Sequence, residues 1–243
     1  MKIYGILPMA GKGSRIQPIA FSKELYPVVY KQRHFVISEF SVMGMLRAGA
    51  DEIMLVINPD KMDIAKYYAH TEYPIAVHFY NSPSLPESCL FPIDKLDDGD
   101  ICIFGLPDTL FAPMSSYKNI IREISKGSDI ALGLFKVQDG SKYDSVSIDG
   151  KGVVKGILVK QSPPLSNWIW GIWGGKVKAL RKLKKIIQNQ DTKNEKLLGV
   201  GFNKLCKSKE IKMTGVKLSD KYFDVGTMDA VVKANQVIKD FGM

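Results

Sequence analysis

The sequence predicts an α/β fold: a Rossmann-like, mostly parallel mixed sheet with helices on both faces and a hairpin-rich insert in the second half. In the first half, short apolar segments alternate with longer amphipathic ones, which is typical of successive β-α-β units. In the second half, segments 143–148 and 153–160 flank an Asp-Gly-Lys-Gly turn, which predicts a β-hairpin. We predict one domain, 1–243, with halves 1–135 and 136–243.

The spacing of apolar residues predicts each element in turn. Short apolar, β-branched runs predict strands at 3–7, 53–57, 75–79, 101–104, 130–135 and 168–173. Amphipathic stretches predict helices at 34–48, 60–69, 89–96, 115–125 and 228–239. In segment 176–188, Val177, Leu180, Leu183 and Ile187 recur at helical spacing, which predicts a further helix with one buried face.

The composition and the spacing of apolar and cysteine residues limit the classes of protein to which this chain can belong. The chain has 243 residues, of which 45% are hydrophobic and 24% charged, as in globular proteins with a large core. No apolar run approaches the roughly 20 residues of a membrane span, and the first residues lack the apolar region of a signal peptide, so we expect a cytoplasmic protein. Cys89, Cys102 and Cys206 show no C-x-x-C spacing, which indicates neither a zinc site nor a disulfide framework.

The formal charge of +9 comes from one region. Segment 176–217 holds thirteen Lys or Arg and three Asp or Glu, so the rest of the chain is close to neutral. One interpretation is a solvated helix face; the other is a surface that contacts an acidic protein, anionic lipid or nucleic acid. Because the basicity is regional, we expect no nucleic-acid partner for the chain as a whole.

The loop after the first strand carries the strongest functional signal. Its spacing departs from a dinucleotide fingerprint, since Ile16 stands where a third glycine is needed, and from a Walker loop, since Gly13 follows Lys12. Gly11 and Gly13 allow main-chain N–H groups to approach phosphate oxygens, and Arg15 and Lys23 supply fixed cations. We therefore predict that this loop binds a nucleotide polyphosphate.

This loop resembles that of the sugar nucleotidyltransferases. Their signature is G-x-G-x-R followed by S-K-x-x-x-P-V, which this chain has between Gly11 and Val28, and the form is closest to that of glucose-1-phosphate thymidylyltransferases. The resemblance implies the nucleotide-diphospho-sugar transferase fold, with a nucleotide-binding half 1–135 and a sugar- and metal-binding half 136–243. The implied catalytic residues are Arg15 and Lys23. The implied nucleotide ligands are Ala10, Gly11, Gly13, Ser14, Arg15, Lys23 and Asn81.

The implied reaction joins a sugar 1-phosphate to a nucleoside triphosphate and releases pyrophosphate. The attacking phosphate oxygen is already ionised near neutral pH, since a phosphomonoester has a second pKa of about 6. No general base is required, so we expect the active site to consist of cations, N–H groups and Mg²⁺. Asp108, which follows the strand 101–104, and Asp224, in an aromatic-x-D-x-G-T segment ending at Thr227, match the two metal-binding aspartates of the family.

The resemblance is weaker where the sugar and the base bind. Lys160 matches the lysine of an E-K-P motif, but Val159 replaces its glutamate. Tyr143 and Asp144 replace a Tyr-Gly pair, and Glu195 stands near a hexose-binding glutamate, so the sugar-phosphate ligands implied are Lys160, Tyr143, Asp144 and Glu195. Asn81 replaces a base-reading glutamine, and Pro86 replaces a glycine under the nucleoside.

Three functional hypotheses remain open. The first is a sugar-1-phosphate nucleotidyltransferase that uses dTTP or UTP. The second is a CTP-dependent cytidylyltransferase acting on phosphocholine or a similar non-sugar phosphate, because Trp168, Trp170 and Trp173 could offer aromatic faces to a quaternary ammonium. The third is a non-catalytic nucleotide-binding relative. A homo-oligomer would fit the resemblance.

Overall fold

A computed structural model describes residues 1–11, 13, 18–30, 33–191 and 195–241. The strands are β1 (Ile3–Met9), β2 (Pro27–Tyr30), β3 (Arg33–Val36), β4 (Glu52–Ile57), β5 (Ile75–Phe79), β6 (Ile101–Phe104), β7 (Thr109–Phe111), β8 (Ile130–Lys136), β9 (Asp144–Ile148), β10 (Val154–Val159), β11 (Trp168–Lys176), β12 (Met213–Ser219) and β13 (Tyr222–Asp224). The helices are α1 (Glu39–Arg47), α2 (Met62–Ala69), α3 (Leu85–Leu90), α4 (Ser116–Ser125), α5 (Val177–Gln188), α6 (Leu198–Ser208) and α7 (Met228–Val237).

A nine-stranded mixed sheet organises these elements. Strands β6, β1, β4 and β5 run parallel and in that order, while the long β11 lies antiparallel to β6. The other side of β11 pairs with β8, which in turn pairs in parallel with β12. The β9–β10 hairpin joins the same sheet through Ile169 of β11. The predicted mixed α/β sheet and the predicted hairpin are confirmed.

The sheet separates two hydrophobic cores, as alternating side chains require. In β4, Ile53, Leu55 and Ile57 face one core, and Met54 and Val56 face the other. Helices α1, α2, α4 and α7 cover the first core, and α3, α5 and α6 cover the second. Helices therefore lie on both faces of the sheet, as predicted.

Two predicted helices have the wrong limits. The first, 34–48, begins only at Glu39, because the N–H groups of Ile37 and Ser38 donate to the carbonyls of Tyr26 and Glu24 instead of entering a helix. The second, 89–96, is replaced by α3, which ends at Leu90, and by a 3₁₀ turn, Pro92–Lys95. Proline has no N–H to donate and clashes with the preceding turn, so the α-helix cannot continue past it.

Part of the basic segment 176–217 is paired with acidic side chains. Its first part is the predicted amphipathic helix, α5, with Val177, Leu180, Leu183 and Ile187 buried. Five of its cations form ion pairs: Lys176 with Asp129, Arg181 with Asp98, Lys182 with Glu210, Lys184 with Asp94, and Lys196 with Glu87. These pairs favour the solvated-face interpretation. In the described part of the chain, no helix is long and apolar enough to span a membrane.

Candidate active site

A cleft of about 400 Å³ opens at the carboxyl ends of the parallel strands. Open α/β sheets bind ligands at this edge, because the loops that follow the strands converge there. Its lining includes seven of the predicted site residues, namely Ala10, Gly11, Lys23, Asn81, Asp108, Glu195 and Asp224.

A second cavity, of about 490 Å³, lies beside the first. It shares Ala10, Lys23 and Asn58 with the first cavity and reaches Gly13. Gly13 has φ +63°, a backbone conformation that favours glycine. The predicted residues Ser14 and Arg15 lie outside the described residues.

Lys23 and Asp108 form an ion pair inside the cleft. The Lys23 Nζ lies 2.5 Å from Asp108 Oδ2, and the two side chains are only 17% and 12% exposed. Lys23 belongs to a 3₁₀ turn, Lys23–Leu25, and Asp108 lies between β6 and β7. The structure thus brings together a cation and a carboxylate that are 85 residues apart in the sequence.

The residues on either side of Lys23 are tied to the segment that begins α2. Ser22 donates to Asp63 twice, from its N–H to Oδ2 over 2.6 Å and from its hydroxyl to Oδ1 over 2.8 Å. The Lys61 ammonium donates to both oxygens of Glu24 and to the Met9 carbonyl, each over 2.9 Å. Glu24 is almost completely buried. These bonds fix the backbone of Lys23 relative to the end of β1.

The pKa values of these two carboxylates reflect their surroundings. Burial raises the pKa of Glu24, and the Lys61 ammonium opposes this shift. Burial also acts to raise the pKa of Asp63, but the hydrogen bonds from Ser22 outweigh it, and the pKa is lowered. The sequence pattern gave no signal for Lys61 or Asp63, because each acts through a partner about 40 residues away.

A short antiparallel ribbon places Asp224 beside Asp108. Strands β7 and β13 pair with Asp224 opposite Thr109, and the N–H of Val225 donates to the Asp108 carbonyl over 2.8 Å. Both carboxylates line the cleft, and Asp224 Oδ1 also accepts from the N–H of Gly226 over 2.8 Å. The Thr227 hydroxyl accepts from the N–H of Ala230, so Thr227 is the N-cap of α7.

The two aspartates suit a magnesium ion. Mg²⁺ in nucleotide-binding sites takes one or two carboxylates, with phosphate oxygens and water as its other ligands. Burial raises the pKa of Tyr222, and the nearby carboxylates of Asp224 and Asp108 raise it further. Within the described ranges, no cluster of three or more His, Cys, Asp or Glu forms a metal cage.

The wall of the cleft that follows strands β4 and β5 is uncharged. Asn58 and Asn81 follow the carboxyl ends of the paired strands β4 and β5, and the Asn58 Nδ2 donates to Asn81 Oδ1 over 3.3 Å. Ser82, Pro83, Ser84 and Leu85 continue this wall toward α3. Pro86 occupies the first turn of α3, where proline is tolerated. Asn58 was not among the predicted residues, although its position one residue after a buried strand is a usable signal.

Glu195 also lines the cleft. The next residue, Lys196, forms a 2.8 Å ion pair with Glu87 of α3, and the Ser84 hydroxyl donates to the same carboxylate. The hydrogen bonds from Lys196 and Ser84 lower the pKa of Glu87 against the opposing effect of burial. This ion pair joins the segment containing Glu195 to the wall that begins at Asn81.

The other predicted sugar-phosphate ligands form a separate group. The N–H of Lys160 donates to the Tyr143 carbonyl over 3.1 Å, and the Asp144 carboxylate lies against the backbone of Gly199. None of Lys160, Tyr143 and Asp144 lines the 400 Å³ cleft. Tyr143 instead lines a third cavity of about 640 Å³, next to Tyr222, with which it makes an edge contact at 6.3 Å between ring centroids.

The buried position of Asp144 affects its charge. Burial raises the pKa of this carboxyl, and the Trp170 indole and the Lys160 ammonium partly oppose the shift. A Cβ on Gly199 would overlap with the Asp144 carboxylate. Asp144 is therefore packed against the first turn of α6 and does not project into the cleft.

The three tryptophans belong to the sheet. Trp173 is buried and stacks on Phe104, and Trp170 contacts the ring of Phe202 edge-on. Trp168 has the Lys217 ammonium 4.9 Å from its ring centroid. None of these rings lines the cleft, so they give no support to an aromatic cage for a quaternary ammonium.

Comparisons with known proteins agree with this architecture. A family model described as nucleotidyl transferase matches residues 4–240. No curated protein sequence matches the chain at a significant level. Among solved structures, a protein assigned as a glucose-1-phosphate thymidylyltransferase from Bacillus anthracis, in complex with sucrose, superposes with a TM-score of 0.83 at 18% identity, covering 99% of this chain and 97% of the other.

Two further structures are similar over nearly the whole chain. A UDP-glucose pyrophosphorylase complexed with UDP-glucose has a TM-score of 0.81 at 19% identity and covers 99% of both chains. A UTP-bound UDP-glucose pyrophosphorylase from Acinetobacter baumannii has a TM-score of 0.77 at 19% identity and covers 98% of this chain and 93% of the other. At these identities the likeness shows the fold, and the predicted nucleotide-diphospho-sugar transferase type of sheet is confirmed.

Proposed function

Because this chain belongs to the nucleotidyl transferase family, we propose that it joins a nucleoside triphosphate to a sugar 1-phosphate. The products are a nucleotide-sugar and pyrophosphate, and Mg²⁺ is the expected metal. The observation that carries the proposal is the meeting of Lys23, Asp108 and Asp224 in one cleft at the carboxyl ends of the parallel strands. The reported ligands of the similar structures, UTP and UDP-glucose, are of the proposed chemical class.

The chemistry requires charge neutralisation more than proton transfer. The sugar-phosphate oxygen that attacks the α-phosphorus is already an anion near neutral pH. The barrier comes from bringing two anions together in line and from the charge on the five-coordinate phosphorus. Lys23, whose backbone is fixed through the bonds of Ser22 and Glu24, would supply an ammonium to that charge.

The main chain and the carboxylates would supply the rest. Gly11 and Gly13 would offer N–H groups to the triphosphate, and Arg15 would add a second cation. Asp108 and Asp224 would hold the magnesium ion, which neutralises phosphate charge when bound. Asp108 forms an ion pair with Lys23 in this structure. Binding of a metal ion to Asp108 would therefore affect the position of the Lys23 ammonium.

The proposed sugar-phosphate ligands fall into two groups. Glu195 lines the cleft itself, and this position supports a contact with a ligand that extends from the phosphates. Lys160 and Tyr143 lie at the end of the β9–β10 hairpin, beyond Tyr222. Their participation would require the sugar to reach from the cleft past Tyr222. The packing of Asp144 against Gly199 favours a supporting role for its carboxylate.

A substrate matrix tests the proposal. The four ribonucleoside triphosphates and dTTP would be combined with a panel of sugar 1-phosphates and phosphocholine, with Mg²⁺, and scored by pyrophosphate release. We expect release with UTP or dTTP only when a sugar 1-phosphate is present. Release with CTP and phosphocholine alone would support a cytidylyltransferase instead. Nucleotide binding without release from any pair would indicate a non-catalytic relative.

A further inference from the structure

We propose that Asn58 is a positioning residue for base selection. It fixes which way the amide of Asn81 faces, so that Asn81 favours a base with a carbonyl group over one with an amino group at the same ring position. The inference rests on the proposed function, since it assumes that a nucleoside triphosphate occupies the cleft. It concerns the base, which the family assignment leaves open. Uracil and thymine carry a carbonyl at the position where cytosine carries an amino group.

The two ends of the cleft differ in charge, and this orients the nucleotide. Lys23, Asp108 and Asp224 line one end, which suits phosphates and a metal ion. The wall formed by 81–85, together with Asn58, is uncharged and offers neutral hydrogen-bonding groups and apolar surface. A nucleotide with its phosphates at the charged end would extend its base along this neutral wall.

The direction of the Asn58 amide is set by the backbone. The N–H of Asp60 lies 3.0 Å from Asn58 Oδ1 and can only donate, so that atom must be the acceptor, the amide oxygen. The Asn58 Nδ2 therefore points to its other neighbour, Asn81, as a donor. The Asn58 carbonyl also accepts from the N–H of Lys61, whose side chain is anchored on Glu24, so the turn itself is held in place.

The direction of the Asn81 amide follows from that of Asn58. Because Asn58 donates to Asn81 Oδ1 over 3.3 Å, the oxygen of Asn81 is engaged and its NH₂ group remains to face a ligand. The strand register supports this arrangement, since Ile57 pairs with Phe79 and the Tyr80 N–H donates to the Ile57 carbonyl. Asn81 then presents a donor, which matches a base carbonyl and opposes a base amino group.

The inference can be tested by binding alone. The α,β-methylene analogues of UTP and CTP would be titrated into the full chain with Mg²⁺ by calorimetry. We expect the unmodified protein to bind the UTP analogue roughly fivefold more tightly than the CTP analogue, as one exposed hydrogen bond of the right polarity would give. Equal binding, or tighter binding of the CTP analogue, would overturn the inference and leave the proposed reaction standing.

Two substitutions should reverse the preference. In Asn58→Asp the side chain still accepts from Asp60 but can no longer donate, so Asn81 would turn its NH₂ toward residue 58 and present its oxygen to the base. In Asn81→Asp an acceptor faces the base directly. Both variants should shift the affinity ratio toward the CTP analogue, by roughly fivefold or more. An unchanged ratio in Asn58→Asp would contradict the role of Asn58, whatever the ratio in Asn81→Asp.

Ser82→Asp is the matched control for the added negative charge. Residue 82 lines the same wall, so its carboxylate would weaken binding of both analogues by electrostatic repulsion. It does not take part in the Asn58–Asn81 contact, and the affinity ratio should stay that of the unmodified protein. A ratio that moves as far in this control would overturn the inference. If the unmodified protein binds neither analogue, both this inference and the proposed function would be overturned.

Discussion

The ammonium of Lys23 lies 2.5 Å from a carboxylate oxygen of Asp108, and both side chains are mostly shielded from water. The proposed phosphate-binding cation and the first proposed metal ligand are therefore electrostatically coupled. Charges shielded from water interact more strongly than exposed ones. Removing one of these two charges therefore changes the electrostatic energy of the other.

Replacing Lys23 with alanine should remove most of the turnover. We expect the rate of pyrophosphate release to fall by two to three orders of magnitude, roughly the cost of losing one fixed electrostatic contact in an active site. The measurement is kcat with saturating nucleotide, alongside circular dichroism to verify folding. Lys178→Ala, an exposed lysine on α5, is the matched control and should keep the rate of the unmodified protein. A Lys23→Ala variant with unchanged kcat would refute the proposed mechanism.

Asp224→Asn should change the magnesium requirement. An amide is a weaker ligand for a hard cation than a carboxylate, so the Mg²⁺ concentration that gives half-maximal activity should rise about tenfold or more. A Mg²⁺ titration of pyrophosphate release measures this. Asp220→Asn, an exposed aspartate of the preceding loop, should leave the midpoint unchanged. An unshifted midpoint in the Asp224 variant would remove Asp224 from the metal site.

Lys61→Met should destabilise the fold. Lys61 is the ion-pair partner of the nearly completely buried Glu24, and its removal would leave a buried carboxylate without its cation. Breaking a buried pair in this way typically costs about 3–5 kcal/mol. Urea unfolding measures the loss. Lys126→Met breaks an ion pair with Glu123 in which Lys126 is 61% exposed, and we expect a loss below about 1 kcal/mol.

The parts of the site that the sequence predicts are those defined by one short segment. Lys23 stands in a seven-residue motif, and Asp108 follows a buried strand, so local patterns indicate both. The contacts with Lys61 and Asp63 join segments about 40 residues apart, and no local pattern identifies such partners. For the same reason the sequence could suggest Tyr143 and Lys160 as sugar-phosphate ligands without showing that they lie outside the cleft.

Helix α6 was not predicted, because its sequence has weak helix propensity. Gly199 and Gly201 lie in its first turns, and glycine costs about 1 kcal/mol relative to alanine in a helix interior. The structure gives the reason for both glycines. A Cβ on Gly201 would come within 2.5 Å of Ile187 and 3.1 Å of Leu183 on α5, and Gly199 makes room for Asp144. Close packing selects residues here that local propensity disfavours.

Asp144→Asn should stabilise the protein at neutral pH. Burial raises the folded-state pKa of Asp144, so the charged carboxylate is less favourable in the folded chain than in the unfolded one. Below the pKa of the unfolded chain, near 3.8, the carboxyl is protonated in both states and the folded protein has its full stability. This stability is lost as the pH rises through the higher pKa of Asp144 in the folded protein. The neutral amide avoids that loss and has nearly the same size and shape as the carboxylate.

The pH dependence distinguishes this effect from a change in packing. The Tm of Asp144→Asn should exceed that of the unmodified protein at pH 7, and a gain of about 1 kcal/mol would appear as roughly 2–4 °C in a chain of this size. The difference should shrink as the pH is lowered toward 4, because the native carboxyl then becomes neutral as well. Asp144→Ala, which leaves a void against Gly199, should gain less at pH 7. A Tm difference that stays constant from pH 4 to 7 would show that charge at Asp144 does not govern the stability of this site.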